Sequence, residues 1–113
     1  MISSSIWLQP SKGRPTTIDV YKRQAKACCY DIPYGVMVPK KLKNLLATGR
    51  CISATHEALA SARISATAMA LGEAAGAAAA IGVKNSQSLA QVDVGELQKK
   101  LLAQGAVPGK SWL

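Results

Sequence analysis

A glycine–arginine pair, a polar loop and a long alanine-rich helix follow one another and hold the best candidates for chemistry. The apolar run at residues 45–48 predicts a short buried strand that ends at Gly49, and ligands of α/β proteins bind at the carboxyl ends of such strands. The helix predicted over residues 65–81 offers unpaired N–H groups and a positive dipole end, which favour an anionic or electron-rich ligand atom. The loop adds cations and donors: Arg50, His56 and Arg63. Many such units bind nothing, so a purely structural role stays open.

The surrounding segments predict an α/β arrangement. Residues 36–38 form an apolar, β-type run that Pro39 closes, and together with residues 45–48 they predict two short strands. Residues 50–63 are rich in small polar side chains and predict a loop. Strands followed by helices favour an α/β fold, here a partial one with short strands, a Gly/Ala-rich helix and a second C-terminal helix.

Two helices are predicted in the second half of the chain. Alanine, the best helix former, dominates residues 65–81, where Gly72 and Gly76 share one face and would let another backbone approach closely. Asp93 is the predicted N-cap of the second helix and Gly105 its C-cap residue. The predicted apolar stripe of this helix consists of Leu97, Leu101 and Leu102.

Composition limits the alternatives. The 113 residues carry a net charge of +8, of which residues 25–113 carry +5. Only 4% of the residues are aromatic, and no aromatic side chains interleave with the cations of residues 25–113 as a nucleic-acid stacking platform requires. A small basic module for nucleic acid or an anionic surface therefore stays the alternative function. Three cysteines, Cys28, Cys29 and Cys51, with the single His56 supply no zinc or iron–sulfur ligand pattern, so no metal ligand is predicted. The odd cysteine count predicts a reducing, cytoplasmic location, and the small-residue helix with Glu73 inside it predicts no membrane span.

The first 24 residues differ from the rest. They show no hydrophobic period, and the hexapeptide at residues 19–24 resembles the translated transposon end used to make sequencing libraries. Residues 1–24 are therefore predicted to be a non-native, disordered scar, with an ordinary basic tail as the alternative. Residues 25–113 are the predicted native segment. An unbroken native reading frame through Gln24 in genomic DNA would exclude the scar.

Several runs along residues 28–107 resemble the C-terminal signature of FAD-dependent oxidoreductases, nearest to the group related to the flavin subunit of heterodisulfide reductase. The runs are Asp31-Ile32-Pro33-Tyr34, Val38-Pro39-Lys40, NLLATGRCISATHEA at residues 44–58, Ser61-Ala62-Arg63 and ALGEAAGAAAA at residues 70–80. The resemblance implies an FAD-binding, Rossmann-like fold. It also implies hydride or electron transfer through FAD, and some relatives carry [4Fe–4S] clusters.

The resemblance also implies a role for each matched position. The flavin ring would lie over the start of the Gly-rich helix, where the dipole stabilises negative charge on the reduced ring. The implied cofactor-binding residues are Gly49, Arg50, Ser53, Thr67, Ala68, Met69 and Gly72. The implied catalytic or loop-bracing residues on the substrate side are His56, Glu57 and Arg63, and a structural role for His56 stays open.

The dinucleotide fingerprint G-x-G-x-x-G occurs nowhere in the chain, because no two glycines are separated by a single residue. The chain is therefore expected to be a C-terminal piece of such an enzyme, inactive and unable to bind FAD tightly by itself. The expected partners are the missing N-terminal portion of the same polypeptide and an unidentified small substrate or electron carrier. No nucleic-acid partner is expected.

Overall fold

A computed structural model of the chain describes residues 32–106, and the predicted scar at residues 1–24 lies outside this part. Three α-helices form it: α1 spans His56–Ala62, α2 spans Ser65–Lys84 and α3 spans Val94–Ala103. Three short 3₁₀ turns join or precede them, at Tyr34–Met37, Gly49–Cys51 and Leu89–Gln91.

The predicted α/β, partly Rossmann-like fold is wrong for the described residues. Helix accounts for 63% of them, and none lies in a β-strand, although Ala54 makes one isolated bridge. Val36 and Met37 belong to the Tyr34–Met37 3₁₀ turn instead, and Val38 is the extended residue that follows it. In this turn the Val36 N–H donates to the Pro33 carbonyl at 3.2 Å. Val36 and Met37 are both buried, so this run is apolar because it turns inside the core.

The second predicted strand, at residues 45–48, also fails to form. Its Ala47 N–H donates to the Met37 carbonyl at 2.8 Å, but no ladder of paired bonds follows within residues 32–106. Leu45 is 47% exposed, so the run is not buried on both faces as predicted. An apolar run becomes a strand only where a neighbouring strand satisfies its backbone.

The predicted polar loop at residues 50–63 contains helix α1. The Thr55 hydroxyl oxygen accepts a hydrogen bond from the Ala58 N–H at 3.2 Å and so caps the helix start. Ala58 and Ala62 are both 0% exposed, four residues apart on the inward face. Small side chains in this segment therefore mark a closely packed helix and not a loop.

The long helix is confirmed, and it runs to Lys84, beyond the predicted end at residue 81. Its inward face packs into the core with residues at helical spacing, namely Leu71, Ala74, Ala75, Ala78 and Ile81. The opposite face is open: a Cβ atom added at Gly72 or Gly76 would meet nothing within 4 Å. The predicted close backbone approach to this face is therefore not made in the described structure.

Helix α2 is also long and apolar enough to cross a membrane, by length and composition alone. A buried core helix passes the same test, and 44% of the apolar window is buried within the structure. The absence of a membrane span therefore stays a prediction.

Helix α3 is confirmed with both of its predicted caps. The Asp93 carboxylate accepts a hydrogen bond from the Gly95 N–H at 3.0 Å. At the other end Gly105 has a φ of +90°, and its N–H donates to the Leu102 carbonyl while the Ala106 N–H donates to the Leu101 carbonyl. This pair of bonds is the Schellman motif, which needs a left-handed residue and so favours glycine.

The predicted stripe of α3 is correct for Leu97 and Leu101 but wrong for Leu102. Leu97 is fully buried and Leu101 is half-buried against the core, whereas Leu102 is 51% exposed. Val94, one turn before Leu97, takes the remaining inward position. The inward face is therefore formed by positions three and four apart, which excludes Leu102 beside Leu101.

We expect the change Asp93→Ala to lower the free energy of unfolding by about 1 kcal/mol, because the first turn of α3 loses its side-chain acceptor. Urea denaturation followed by circular dichroism measures the loss. Asp93→Asn is the matched control, because an asparagine oxygen caps about as well. Equal losses in both variants would show that the carboxylate acts through its charge and not through the cap.

Candidate functional site

The start of α2 is the element that best suits an electron-rich ligand atom. Its N-cap residue is Ile64, which offers no side-chain hydrogen bond, and the first turn holds no acid. The first backbone bond joins the Ala68 N–H to the Ile64 carbonyl at 3.0 Å, so the N–H groups of the three preceding residues have no carbonyl partner inside the helix. The sequence analysis did not identify this uncapped helix start. The signal was the isoleucine at the N-cap position, where Ser, Thr, Asn or Asp is usual.

The Gly49–Cys51 turn packs beside this helix start. Gly49 has a φ of +65°, a backbone conformation that glycine adopts without strain. A Cβ atom added to it would lie 3.8 Å from the Ala68 Cβ, which places the turn against the first turn of α2. Arg50 and Cys51 are both exposed on this turn. The structure thus places the Gly49–Cys51 turn against a helix that begins 16 positions after Gly49 in the sequence.

The remaining predicted cofactor residues differ in exposure. Thr67 is only 6% exposed, so its side chain faces the core. Met69 is 75% exposed and Gly72 is exposed one turn later, so both lie on the open face of α2. Ser53 is exposed, and its N–H donates to the Val36 carbonyl at 3.1 Å, which ties the loop to the Tyr34–Met37 turn.

The three predicted catalytic residues are not gathered into one cluster. His56 and Glu57 are exposed at the start of α1, while Arg63 is the exposed C-cap residue of that helix, immediately before α2. His56 and Arg63 are seven positions apart along this helix, a rise of roughly 10 Å. Only Arg63 therefore lies next to the start of α2, and catalytic roles for all three stay predictions.

Within residues 32–106 no three His, Cys, Asp or Glu side chains lie together in a way that could hold a metal ion. Cys51 is a free, exposed thiol. The expectation that the chain uses no metal ligand stays a prediction.

The geometry defines a class of binding unit. A long helix has an uncapped, acid-free start, and a left-handed glycine turn and two arginines lie beside that start in the chain or the fold. This arrangement suits an anionic or electron-rich group. The family model described as FAD dependent oxidoreductase matches residues 5–101, and the chain belongs to this family. No curated protein and no solved structure matches the chain.

The family match leaves two finer predictions open. It names FAD-dependent oxidoreductases in general, so the link to heterodisulfide reductase stays a prediction. Its range includes residues 5–24, and the prediction that residues 1–24 are non-native likewise stays untested.

Proposed function

We propose that residues 32–106 form the flavin-facing part of an FAD-dependent oxidoreductase. The observation that carries the proposal is the start of α2, where uncapped N–H groups, no acid in the first turn and the packed Gly49 turn occur together. The partial positive charge of a helix N-terminus stabilises negative charge on a ligand, and a reduced flavin ring carries such charge. When bound, the flavin supplies hydride or electron transfer.

Each part of this surface has a role in the proposal. The backbone around Thr67, Ala68 and Met69 faces the electron-rich edge of the ring, and Gly72 keeps the next turn free of a side chain. This fits the structure, because the Gly72 Cβ position is open and Met69 lies on the exposed face. Arg50 lies on the turn that packs beside the helix start, where a cation complements the same negative charge. With Ser53, the turn lines the ribityl side of the cofactor.

The adenine half of FAD needs a different element. A pyrophosphate is held by a glycine-rich turn at the start of a nucleotide-binding unit, and the 113 residues contain no G-x-G-x-x-G. We therefore place that half of the site in an N-terminal portion of the same polypeptide that is not in this sequence. The 113-residue chain alone is expected to bind FAD weakly and to be inactive.

Titration of the full chain with FAD, FMN and riboflavin, followed by amide chemical shifts, tests the proposal. The expected result is weak binding with shifts at Gly49–Cys51 and at residues 65–69. FAD is expected to bind no more tightly than FMN, because the adenine has no site here. Shifts confined to other residues would overturn the flavin site. A tight, stoichiometric FAD complex would support the family role but overturn the claim that the adenine half is held elsewhere.

Two glycines one turn apart on the open face provide a matched pair of variants. We expect both Gly72→Ala and Gly76→Ala to raise the free energy of unfolding by up to about 1 kcal/mol, because alanine favours helix and neither new Cβ meets another atom within 4 Å. Only Gly72→Ala is expected to weaken flavin binding, since Gly76 lies one turn further from the helix start. Equal flavin affinity in both variants would remove Gly72 from the site.

A further inference from the structure

A pocket of about 240 Å³ lies beside the Gly49–Cys51 turn, and none of its lining residues belongs to α2. Most of the lining is backbone and apolar side chain, with polar groups from one lysine, one cysteine and one serine. The residues are Gly35, Val36, Met37, Val38, Pro39, Lys40, Ala47, Cys51 and Ser53. Clefts that hold drug-sized ligands measure about 300–1,000 Å³, so this pocket suits a smaller molecule.

The walls of the pocket are held in place by backbone hydrogen bonds. The Ala47 N–H donates to the Met37 carbonyl at 2.8 Å, and the Ser53 N–H donates to the Val36 carbonyl at 3.1 Å. Val36 is 4% and Met37 0% exposed, so the shared wall is anchored in the core. These two bonds join Val36 and Met37 to segments 17 and 10 positions later in the chain, and the joined segments form a concave surface.

The charged side chains of the chain segment that forms the pocket have one sign. Residues 32–56 contain no Asp or Glu, whereas Lys40 lines the pocket and Arg50 precedes its lining residue Cys51. Lys40 is exposed, and Lys41 and Lys43 follow it on the same exposed loop. An apolar pocket with a cationic rim and no acid favours an anion that also carries apolar surface.

We propose that this pocket binds a small carboxylate with a short aliphatic or aromatic body. The apolar body lies against the wall formed by Val38, Pro39 and Ala47, and the carboxylate meets the Lys40 ammonium at the rim. The pocket shares Cys51 and Ser53 with the surface assigned to the ribityl side of the flavin, but its lining includes no residue of α2.

Protection of the Cys51 thiol provides the test. Cys51 lines the pocket and is exposed, and the changes Cys28→Ser and Cys29→Ser leave it as the sole thiol of the full chain. We expect benzoate to slow its alkylation by the neutral reagent N-ethylmaleimide in a saturable manner, with at least a fivefold reduction at saturation. Benzyl alcohol, which has the same ring without the charge, is expected to protect at least fivefold less well at equal concentration.

Two matched lysine variants test whether Lys40 at the rim of the pocket is responsible for the protection by benzoate. Lys40→Gln is expected to raise the half-protecting benzoate concentration at least fivefold, whereas Lys84→Gln removes an equal charge from the exposed end of α2 and should leave it unchanged. Circular dichroism verifies that each variant keeps its helices. Linear, non-saturable protection, equal protection by benzyl alcohol, or equal effects of both lysine changes would overturn the proposal. Displacement of benzoate by FMN would also overturn it, since the pocket would then belong to the flavin site.

Discussion

The change Leu97→Ala is expected to destabilise the chain by about 2–5 kcal/mol, the usual cost of removing a fully buried leucine side chain. Leu97 joins α3 to the core that α2 dominates, and alanines supply much of that core. Only four large side chains are fully buried among the described residues: Ile32, Met37, Leu71 and Leu97. Each of them therefore carries an unusually large share of the buried apolar area. Urea denaturation monitored at the helical circular dichroism band measures the loss.

Leu102→Ala is the matched control on the same helix. Leu102 is 51% exposed, so its truncation should change the free energy of unfolding by less than about 0.5 kcal/mol. Both changes remove the same atoms and alter helix propensity equally, so their difference reports the packing of α3. Comparable losses in the two variants would show that α3 does not pack on α2 through Leu97.

Helices were predictable because their signals are local. Asp93 and Gly105 cap α3 from fixed positions at its two ends, and alanine favours α2 along its whole length. The missed helix α1 also had a local signal. Thr55 lies three residues before Ala58, and its hydroxyl oxygen accepts a hydrogen bond from the Ala58 N–H. That helix was hidden by the small polar residues around it, which are typical of loops as well.

Strands were not predictable in the same way, because a strand depends on a partner that the run itself does not reveal. Val36 and Met37 are apolar in a buried 3₁₀ turn for the same reason that they would be apolar in a buried strand. The run at residues 45–48 makes a single backbone bond to Met37 and ends there. Periodicity over three or four residues cannot separate these cases.

The site was predictable in its sequence elements but not in its exposure. Gly49 and the start of α2 lie close together because only a short helix separates them in the chain, and the structure places Gly49 beside Ala68. The burial of Thr67 and the exposure of Met69 depend on how α2 is rotated about its axis, which only the packed core fixes. The separation of His56 from Arg63 depended likewise on recognising α1.

The buried hydrogen bond of Tyr34 leads us to expect that the stability of the fold decreases at alkaline pH. The Tyr34 hydroxyl donates to the Leu89 carbonyl at 2.7 Å and so joins the Tyr34–Met37 turn to the Leu89–Gln91 turn between α2 and α3. Burial of Tyr34 raises its pKa from 10.0 to about 12. Because the folded pKa lies above the unfolded one, this stabilisation is complete below pH 10 and is lost as the pH rises through 12. We expect a loss of about 2–3 kcal/mol over that window, because one pKa unit corresponds to about 1.4 kcal/mol.

The change Tyr34→Phe separates this effect from the lysines, which titrate over the same range. At pH 7 the variant should lose about 1 kcal/mol of stability, because the Leu89 carbonyl loses its donor. Between pH 10 and 12 this difference should shrink and then reverse sign, since the wild-type hydroxyl must ionise and give up the same bond whereas the phenylalanine does not titrate. Unfolding in urea at several pH values measures both curves. If the two stability curves run parallel through pH 12, the pKa of Tyr34 is not raised in the folded protein. The hydrogen bond to Leu89 would then not contribute to the pH dependence of stability.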